Sequence, residues 1–482
     1  MRSPSEELSS MVTTVPGATP DLPIVVIGAG PVGLAAAAHL LERGLAPLVL
    51  EAGARAGAAV AAWGHVRLFS PWEYDVDDAA VRLLERAGWE SPARDDLPTG
   101  ADLVEQYLRP LAATPELAPR IRTGTRVVAV GRQGVDKTRT VGRDGRPYLV
   151  RTVRGGRTED VLAAAVLDAS GTWGRSNPLG AAGLPAVGEE HAGPWLAGPL
   201  PDVLGAERSR FAGRHTLVVG MGHSAANTLL ALTRLQAEEP GTEITWAVRG
   251  RSPARLYGGG DADGLPARGL LGSDLRAAVG RGAVRLVREF ALRELAPGPG
   301  GRLTVLGTAR DGEDVELAVD ALVAATGFRP DLGLLREVRL ALDPALEAPV
   351  ALAPLIDPNA HSCGTVPPHG EAVLAHPDAG CYVVGAKSYG RAPTFLLATG
   401  YEQVRSIAAH LAGDAAAAAD VRLHLPATGV CATDLGARED AEAEPRGFPT
   451  GRSHGWSAEP VAGDGTPTAC CGTVPVTAGA AG

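Results

Sequence analysis

The chain alternates short, wholly apolar runs with stretches whose apolar residues recur at helical spacing. "LPIVVIGAG", ending at Gly30, has strand length and closes on glycines, as for a strand buried on both faces. "PVGLAAAAHLLERG" then reads as a helix stopped by Gly44, and "APLVLEA" as a second strand, completing a βαβ unit. Over residues 63–98 no period survives, and aromatics and prolines gather as in a loop crossing a ligand. A helix is predicted over 101–111, then strands in "TRVVAV", "YLVRTV" and "VLAAAVLDAS", the last running into "GTWGRSNP". After a proline-rich connector over 178–206 the pattern restarts with "HTLVVGMGHSAANTLLALTRLQ" and "EITWAVRG", a second strand–turn–helix–strand. "GRLTVLG" and "AVDALVAATGFRPD" read as the end of that module, and "CYVVGAKSYG" with "APTFLLATGYEQVRSIAAHLAG" returns to strand, loop and helix. Residues 414–482 hold Ala, Gly, Pro and acids without a period and are predicted to be largely disordered.

The two restarts share one turn chemistry. In the first, Gly28 permits a tight bend, Gly30 lets the backbone approach a pyrophosphate, Pro31 opens the helix, and Gly33 lets helix and strand pack closely. The helix start presents free amides and a positive dipole end to phosphate. Glu51 closes the second strand, where a carboxylate accepts ribose hydroxyls and repels a 2′-phosphate, so FAD or NAD is preferred over NADP. In the second turn Gly220 and Gly222 take the same places, Ser224 sits at the helix start and Ala225 at the packing position. Its second strand ends on Arg249 and Arg251, guanidiniums suited to a 2′-phosphate and hence to NADPH; solvated surface arginines are the alternative. One dinucleotide held permanently and another admitted to reduce it explains why one chain carries two such turns.

Composition narrows the classes. A chain of 482 residues with 45% hydrophobic and 21% charged residues is globular and long enough for two or three domains. Its net charge of −10 and lack of a basic block disfavour nucleic acid. The first twenty residues have no signal-peptide core and no uncharged apolar run is long enough to span a membrane, so a cytoplasmic location is expected. Five cysteines do not make a disulfide scaffold. Only Lys137 and Lys387 among 45 basic residues are lysine, which draws attention to Lys387.

"VVIGAGPVGLAAA" with "LEAG", "DASGTWGRSNP", "FAGRHTLVVGMGHSAAN" and "VAATGFRPD" together resemble the NADPH-dependent flavin-containing monooxygenases, which have two dinucleotide-binding domains. The resemblance implies an α/β fold with two Rossmann-like domains, the NADP domain inserted into a split FAD domain. The implied divisions are a leader (1–20), FAD domain (21–175 and 331–413), NADP domain (176–330) and tail (414–482). It places Trp63, Val127, Ser170, Gly171, Gly385 and Gly400 with the glycine turn and Glu51 on the FAD side, and Thr326 and Gly327 on the NADP side. It further implies that NADPH reduces FAD, that O₂ adds as a C4a-hydroperoxyflavin, and that one oxygen passes to a soft nucleophile, nitrogen or sulfur, or to a ketone. The oligomeric state is not legible.

Two departures bear on that activity. The fingerprint of a Phe-x-Gly followed by a His and an aromatic is broken. "FAGRH" runs straight into its strand, and "GLPAVGEEHAGPW" lacks the Phe. An NADPH-dependent reductase serving a quinone, metalloid or protein acceptor therefore stays open, as does a redox-responsive scaffold without turnover. "YVVGAKSYG" also lacks the aspartate that usually follows its glycine; Ala386 and Lys387 stand there. Beside the flavin ring, Lys387 is a candidate catalytic cation; a solvent-facing lysine at a loop tip is the alternative. A helix start after Gly400 offers similar electrostatics, and Trp63, Phe69 and Trp72 either wall the ring or simply pack.

No CxxC or CxxxxC occurs, and Cys363 and Cys381 are 18 apart, against thioredoxin-reductase-type chemistry. Cys431, Cys470 and Cys471 fall in the tail, where three thiols suit a thiophilic ion or have no role. "GAKSYGRAPTFLLATGYEQVRS" and the terminal "CCG" resemble the flavin monooxygenases associated with arsenic resistance, which implies tail thiols that hand trivalent arsenic to the flavin.

Overall fold

The computed structural model describes residues 22–258, 260, 263–309, 312–359, 366–392 and 395–423. The chain begins with β1 (Ile24–Ile27), β2 (Pro47–Leu50) and β3 (Ile121–Arg122). An antiparallel ribbon follows, β4 (Thr125–Arg132), β5 (Tyr148–Arg154) and β6 (Arg157–Ala163), then β7 (Ala165–Asp168). Next come β8 (Leu196–Ala197), β9 (His215–Val219), β10 (Glu243–Ala247) and β11 (Arg285–Val287). A second antiparallel ribbon, β12 (Ala291–Pro297), β13 (Leu303–Thr308) and β14 (Asp314–Val319), leads to β15 (Ala321–Ala324) and finally β16 (Cys381–Val383).

Two parallel sheets result, in the orders β16-β7-β1-β2-β3 and β11-β10-β9-β15-β8. In each, the chain leaves the central strand to one side and returns to its other side, opening a crevice at the carboxyl end of β1 or β9. Both glycine turns sit at those ends. The topology therefore has two Rossmann-like folds, with β16 returning to the first sheet after the second is complete.

The core explains the apolar runs. All four residues of β1 are buried, and Ala35–Ala38 of helix Pro31–Glu42 are fully buried. Small side chains there let that helix lie close to helix Leu397–Leu411. A buried clamp ties the first ribbon to the last strand: Arg143 donates Nε–H and Nη2–H to Asp378 at 2.9 and 2.7 Å, with both side chains almost wholly enclosed.

Four elements differ from the sequence expectation. "VLAAAVLDAS" is two strands, because Ala164 donates its N–H to Pro23 O and the chain switches there from ribbon to parallel sheet. Within 63–98, helix Asp78–Arg86 forms with Asp77 as its cap and buries Ala79, Ala80, Leu83 and Leu84, an amphipathic stripe hidden among prolines and aromatics. The last long helix begins at Leu397, so Gly400 lies inside its first turn. Helix Ala415–Ala419, capped by the Asp414 side chain, extends ordered structure into the segment assigned to the tail. Cys363, Cys431, Cys470 and Cys471 lie outside the described residues.

Candidate dinucleotide sites

At the first turn, Gly28 has φ +100°, and a Cβ there would stand 2.9 Å from Ala169 O. A Cβ on Gly33 would stand 2.0 Å from Gly28 O, so the helix can approach the turn only without a side chain. Gly30 is the opposite case: nothing lies within 4 Å of its Cβ direction, and its backbone is extended. The space it faces is open and adjoins the start of helix Pro31–Glu42, whose first helical residue is Pro31. Glu51, directly after β2, accepts N–H bonds from Ala29 at 2.7 Å and Gly53 at 2.6 Å. Its carboxylate is thereby held beside the turn. Val127 lies on β4 opposite Thr152, and Gly100 is so close to Trp63 that a Cβ would stand 2.7 Å from its ring.

The second turn repeats this geometry. Gly220 has φ +132° with Ala325 O 2.0 Å from its Cβ direction, whereas Gly222 faces open space and caps helix His223–Glu238. Ser224 is in that helix's first turn and Ala225 is fully buried against its strand. Buried Trp246 donates Nε1–H to Gly220 O at 2.7 Å and fixes the turn from beneath. Each turn thus rests on the strand where the chain crosses between the sheets.

The crossings pair with each other. Ser176 and Phe328 form an antiparallel bridge, Thr326 donates its hydroxyl to Asn177 O at 2.6 Å, and Asn177 donates Nδ2–H to Thr326 O at 3.1 Å. Gly171 and Gly327 adopt φ +68° and +83° at the bends of these segments. In the loop over 63–98, the Phe69 ring meets the His223 ring with centroids 5.0 Å apart. The loop beside the first turn therefore touches the first residue after the second turn. Burial, with the Arg268 guanidinium adding to it, pushes the His223 imidazole down to about 4, so it is neutral at pH 7. His223 and Asn177 were not singled out in the sequence, although His223 stands inside the quoted turn.

Between the two crossings and the second turn lies a cleft of about 390 Å³. Asn177, Gly220, Met221, Arg249, Thr326 and Arg391 are among its walls. Arg249 donates Nη1–H to Ala181 O at 2.9 Å. Arg251 does not line the cleft; it is exposed and paired with Glu289 at 3.3 Å. The structure thus separates the two arginines that the sequence placed together.

Lys387 is neither at a solvent-facing loop tip nor an unmatched cation. It is buried, with Nζ 2.6 Å from Asp168 Oδ2 and 3.0 Å from Ser170 Oγ, and Ser170 in turn donates its hydroxyl to Asp168 Oδ1 at 2.6 Å. The network ties the carboxyl ends of β7 and β16 together beside Gly28. Gly385 has φ +68°, and Gly400 packs so tightly on Val32 and Phe395 that a Cβ would stand 2.6 Å from Val32 Cγ2. Helix Leu397–Leu411 thereby seats its first turn on the first glycine helix.

Asp75 is a further buried acid. Ser70 donates its hydroxyl to Oδ1 at 2.8 Å, and Oδ2 has no partner among the described residues. Burial lifts this carboxyl to about 7, against the Ser70 bond, which lowers it. Among the described residues, no group of three or more His, Cys, Asp or Glu is placed to hold a metal ion, and no helix is long and apolar enough to cross a membrane.

Two glycine turns on two parallel sheets, cross-braced where the chain passes between them, define a protein of the two-dinucleotide-fold class. Residues 23–117 match the model of the FAD dependent oxidoreductase family. A ferredoxin–NADP reductase of Salinispora tropica is 30% identical over 326 residues, which cover 67% of this chain and 79% of that one. The chain belongs to the FAD-dependent oxidoreductases. Among solved structures, the bacillithiol disulfide reductase of Bacillus cereus is similar with a TM-score of 0.59 and 20% identity, covering 81% of this chain and 98% of that one. The cadaverine monooxygenase DfoA of Erwinia amylovora has a TM-score of 0.56 and 15% identity, covering 81% and 94%. A flavin-containing monooxygenase of Stenotrophomonas maltophilia has a TM-score of 0.52 and 23% identity, covering 81% and 98%. These likenesses are of fold.

Proposed function

We propose that the protein is an FAD- and NADPH-dependent monooxygenase acting with O₂ on a small soft nucleophile, nitrogen, sulfur or an arsenical. The observation that carries this reading is the Phe69–His223 contact, which brings the loop beside the first turn against the mouth of the second. FAD fits the first site, where Gly30 leaves open space for phosphate and Glu51 is held beside the turn with lone pairs left to accept ribose hydroxyls. NADPH fits the second, where Gly222 leaves the same space and Arg249 borders the cleft. A flavin held by the first turn and Glu51 would supply hydride acceptance and electron transfer to O₂. The chain's own part is to bring the two rings together, keep water out with Phe69 and its neighbours, and present a neutral His223 as a hydrogen-bonding group at the junction. Ser170, Lys387 and Asp168 hold the crevice in shape around the first dinucleotide.

A reductase is the second reading, favoured by the ferredoxin–NADP reductase among the relatives and by the broken Phe-x-Gly fingerprint. One experiment separates them. The FAD-loaded protein is reduced anaerobically with NADPH, then mixed with O₂ in the presence of trimethylamine, dimethyl sulfide or arsenite. Oxygenated product in proportion to NADPH consumed supports the monooxygenase. Quantitative release of H₂O₂ with every nucleophile, together with anaerobic turnover on a quinone or ferredoxin, refutes it in favour of the reductase.

A further inference from the structure

The cleft beside the second turn is not built by the second fold alone. Arg391 lies beyond β16, on the segment that has returned to the first sheet, yet it forms part of the wall facing Asn177, Gly220 and Thr326. Arg249 and Arg391 supply the cations of that wall, and among the described residues no carboxylate lines it. A cleft with two guanidiniums and no acid selects a ligand with more than one anionic group.

The Arg391 side chain is also held in a definite way. Its Nε–H is donated to Glu347 Oε2 at 2.8 Å, and its backbone N–H to Leu346 O at 2.7 Å. The preceding Gly390 has φ +57°, and a Cβ there would stand 1.9 Å from Leu346 O, so the two loops approach more closely than any side chain at that position would allow. Glu347 itself adopts φ +56°. Nε is thus the tethered corner of the fork, while the two Nη groups form no hydrogen bond with the described residues. This is the geometry of a guanidinium oriented by one carboxylate and offered to an anion by its other edge.

We infer that Arg391 binds the nicotinamide-side phosphate of NADP(H) from across the gap between the two folds, as a binding residue distinct from Arg249 at the adenosine 2′-phosphate. The division follows from where each residue is carried. Arg249 stands just past β10, the end at which a Rossmann fold meets the adenosine ribose. Arg391 is carried by the part of the chain that belongs to the first sheet. It therefore faces the half of the dinucleotide that must approach the flavin for hydride to pass. The inference rests on the reading of this cleft as the NADPH site. It adds that dinucleotide binding itself bridges the two folds.

Calorimetric titration of the FAD-loaded protein tests it, using NADP⁺ and adenosine 2′,5′-bisphosphate, which lacks the nicotinamide-side phosphate. Arg391→Gln is expected to weaken NADP⁺ about tenfold, the loss of one charge-assisted phosphate contact at a partly exposed site, and to leave the bisphosphate unchanged. Arg249→Gln is expected to weaken both. Unchanged NADP⁺ affinity in Arg391→Gln, or equal weakening of both ligands, overturns the inference. Failure of the parent reading is visible separately, since the unsubstituted protein would then bind neither ligand. Should Arg391→Gln lose flavin, Arg391→Lys keeps the charge and aliphatic stem but not the fork, and the same comparison of ligands applies.

Discussion

Placing a side chain on Gly30 separates binding from folding, and the structure sets the size of both effects. The residue has φ −80° and ψ −174°, an extended conformation open to any residue, and no heavy atom within 4 Å of its Cβ direction. The Cβ of Gly30→Val therefore meets no protein atom beyond its chain neighbours. As a helix N-cap it loses only the preference of glycine over valine, roughly 1 kcal/mol or less. The isopropyl group instead fills the space facing the amides at the start of the helix. Displacing a pyrophosphate from two such amides removes two charge-assisted hydrogen bonds, about 1.5–3 kcal/mol each, or roughly 10²–10⁴ in FAD dissociation constant. Gly28→Ala is the control with the opposite balance. At φ +100°, with Ala169 O 2.9 Å from the new methyl, it strains the apoprotein itself. The assay is flavin absorbance per protein after purification, with thermal melts of both apoproteins. Gly30→Val is expected to purify colourless with a melting temperature near that of the unsubstituted apoprotein, and Gly28→Ala to melt lower. A yellow Gly30→Val protein with full flavin content would refute the assignment of the first turn as a phosphate cradle.

Two further outcomes follow from buried charge. Asp75 has its folded-state pKa raised to about 7 from 3.8, so between about pH 4 and 7 the folded state binds more protons than the unfolded one and stability falls as pH rises. About three units correspond to roughly 4 kcal/mol, and Asp75→Asn is expected to melt higher at pH 8 while differing little at pH 4. A melting difference that does not grow with pH contradicts the buried, singly bonded carboxyl. At the other pair, Lys387→Met leaves Asp168 enclosed without its cation and is expected to cost about 3–5 kcal/mol, most of it recovered in Lys387→Met/Asp168→Asn. If the double variant keeps both FAD and the flavin reduction potential of the unsubstituted protein, Lys387 acts only by holding β7 to β16. A shifted potential with full FAD content shows that its charge reaches the flavin.

The sequence by itself determined the parts whose physics is local. A buried parallel strand must be apolar throughout, a phosphate turn must omit Cβ where backbone meets backbone, and both requirements appear within a dozen residues at Gly28–Gly33 and again at Gly220–Ala225. The carboxylate of Glu51 was legible for the same reason, since one strand and one helix fix its distance from the turn. The sequence could not show that "VLAAAVLDAS" divides at Ala164, because every residue there suits a strand and only the pairing partners change. Nor could it separate Arg249 from Arg251, which differ in whether a carbonyl or Glu289 stands opposite. Lys387 had two local readings, and the structure supplied a third through Asp168, a partner more than two hundred residues away. Arg391 and Phe69 come to the second turn only because the chain re-enters its first sheet at β16 and a loop spans the gap. Such contacts are set by how two folds are braced together, and no spacing within either fold encodes them.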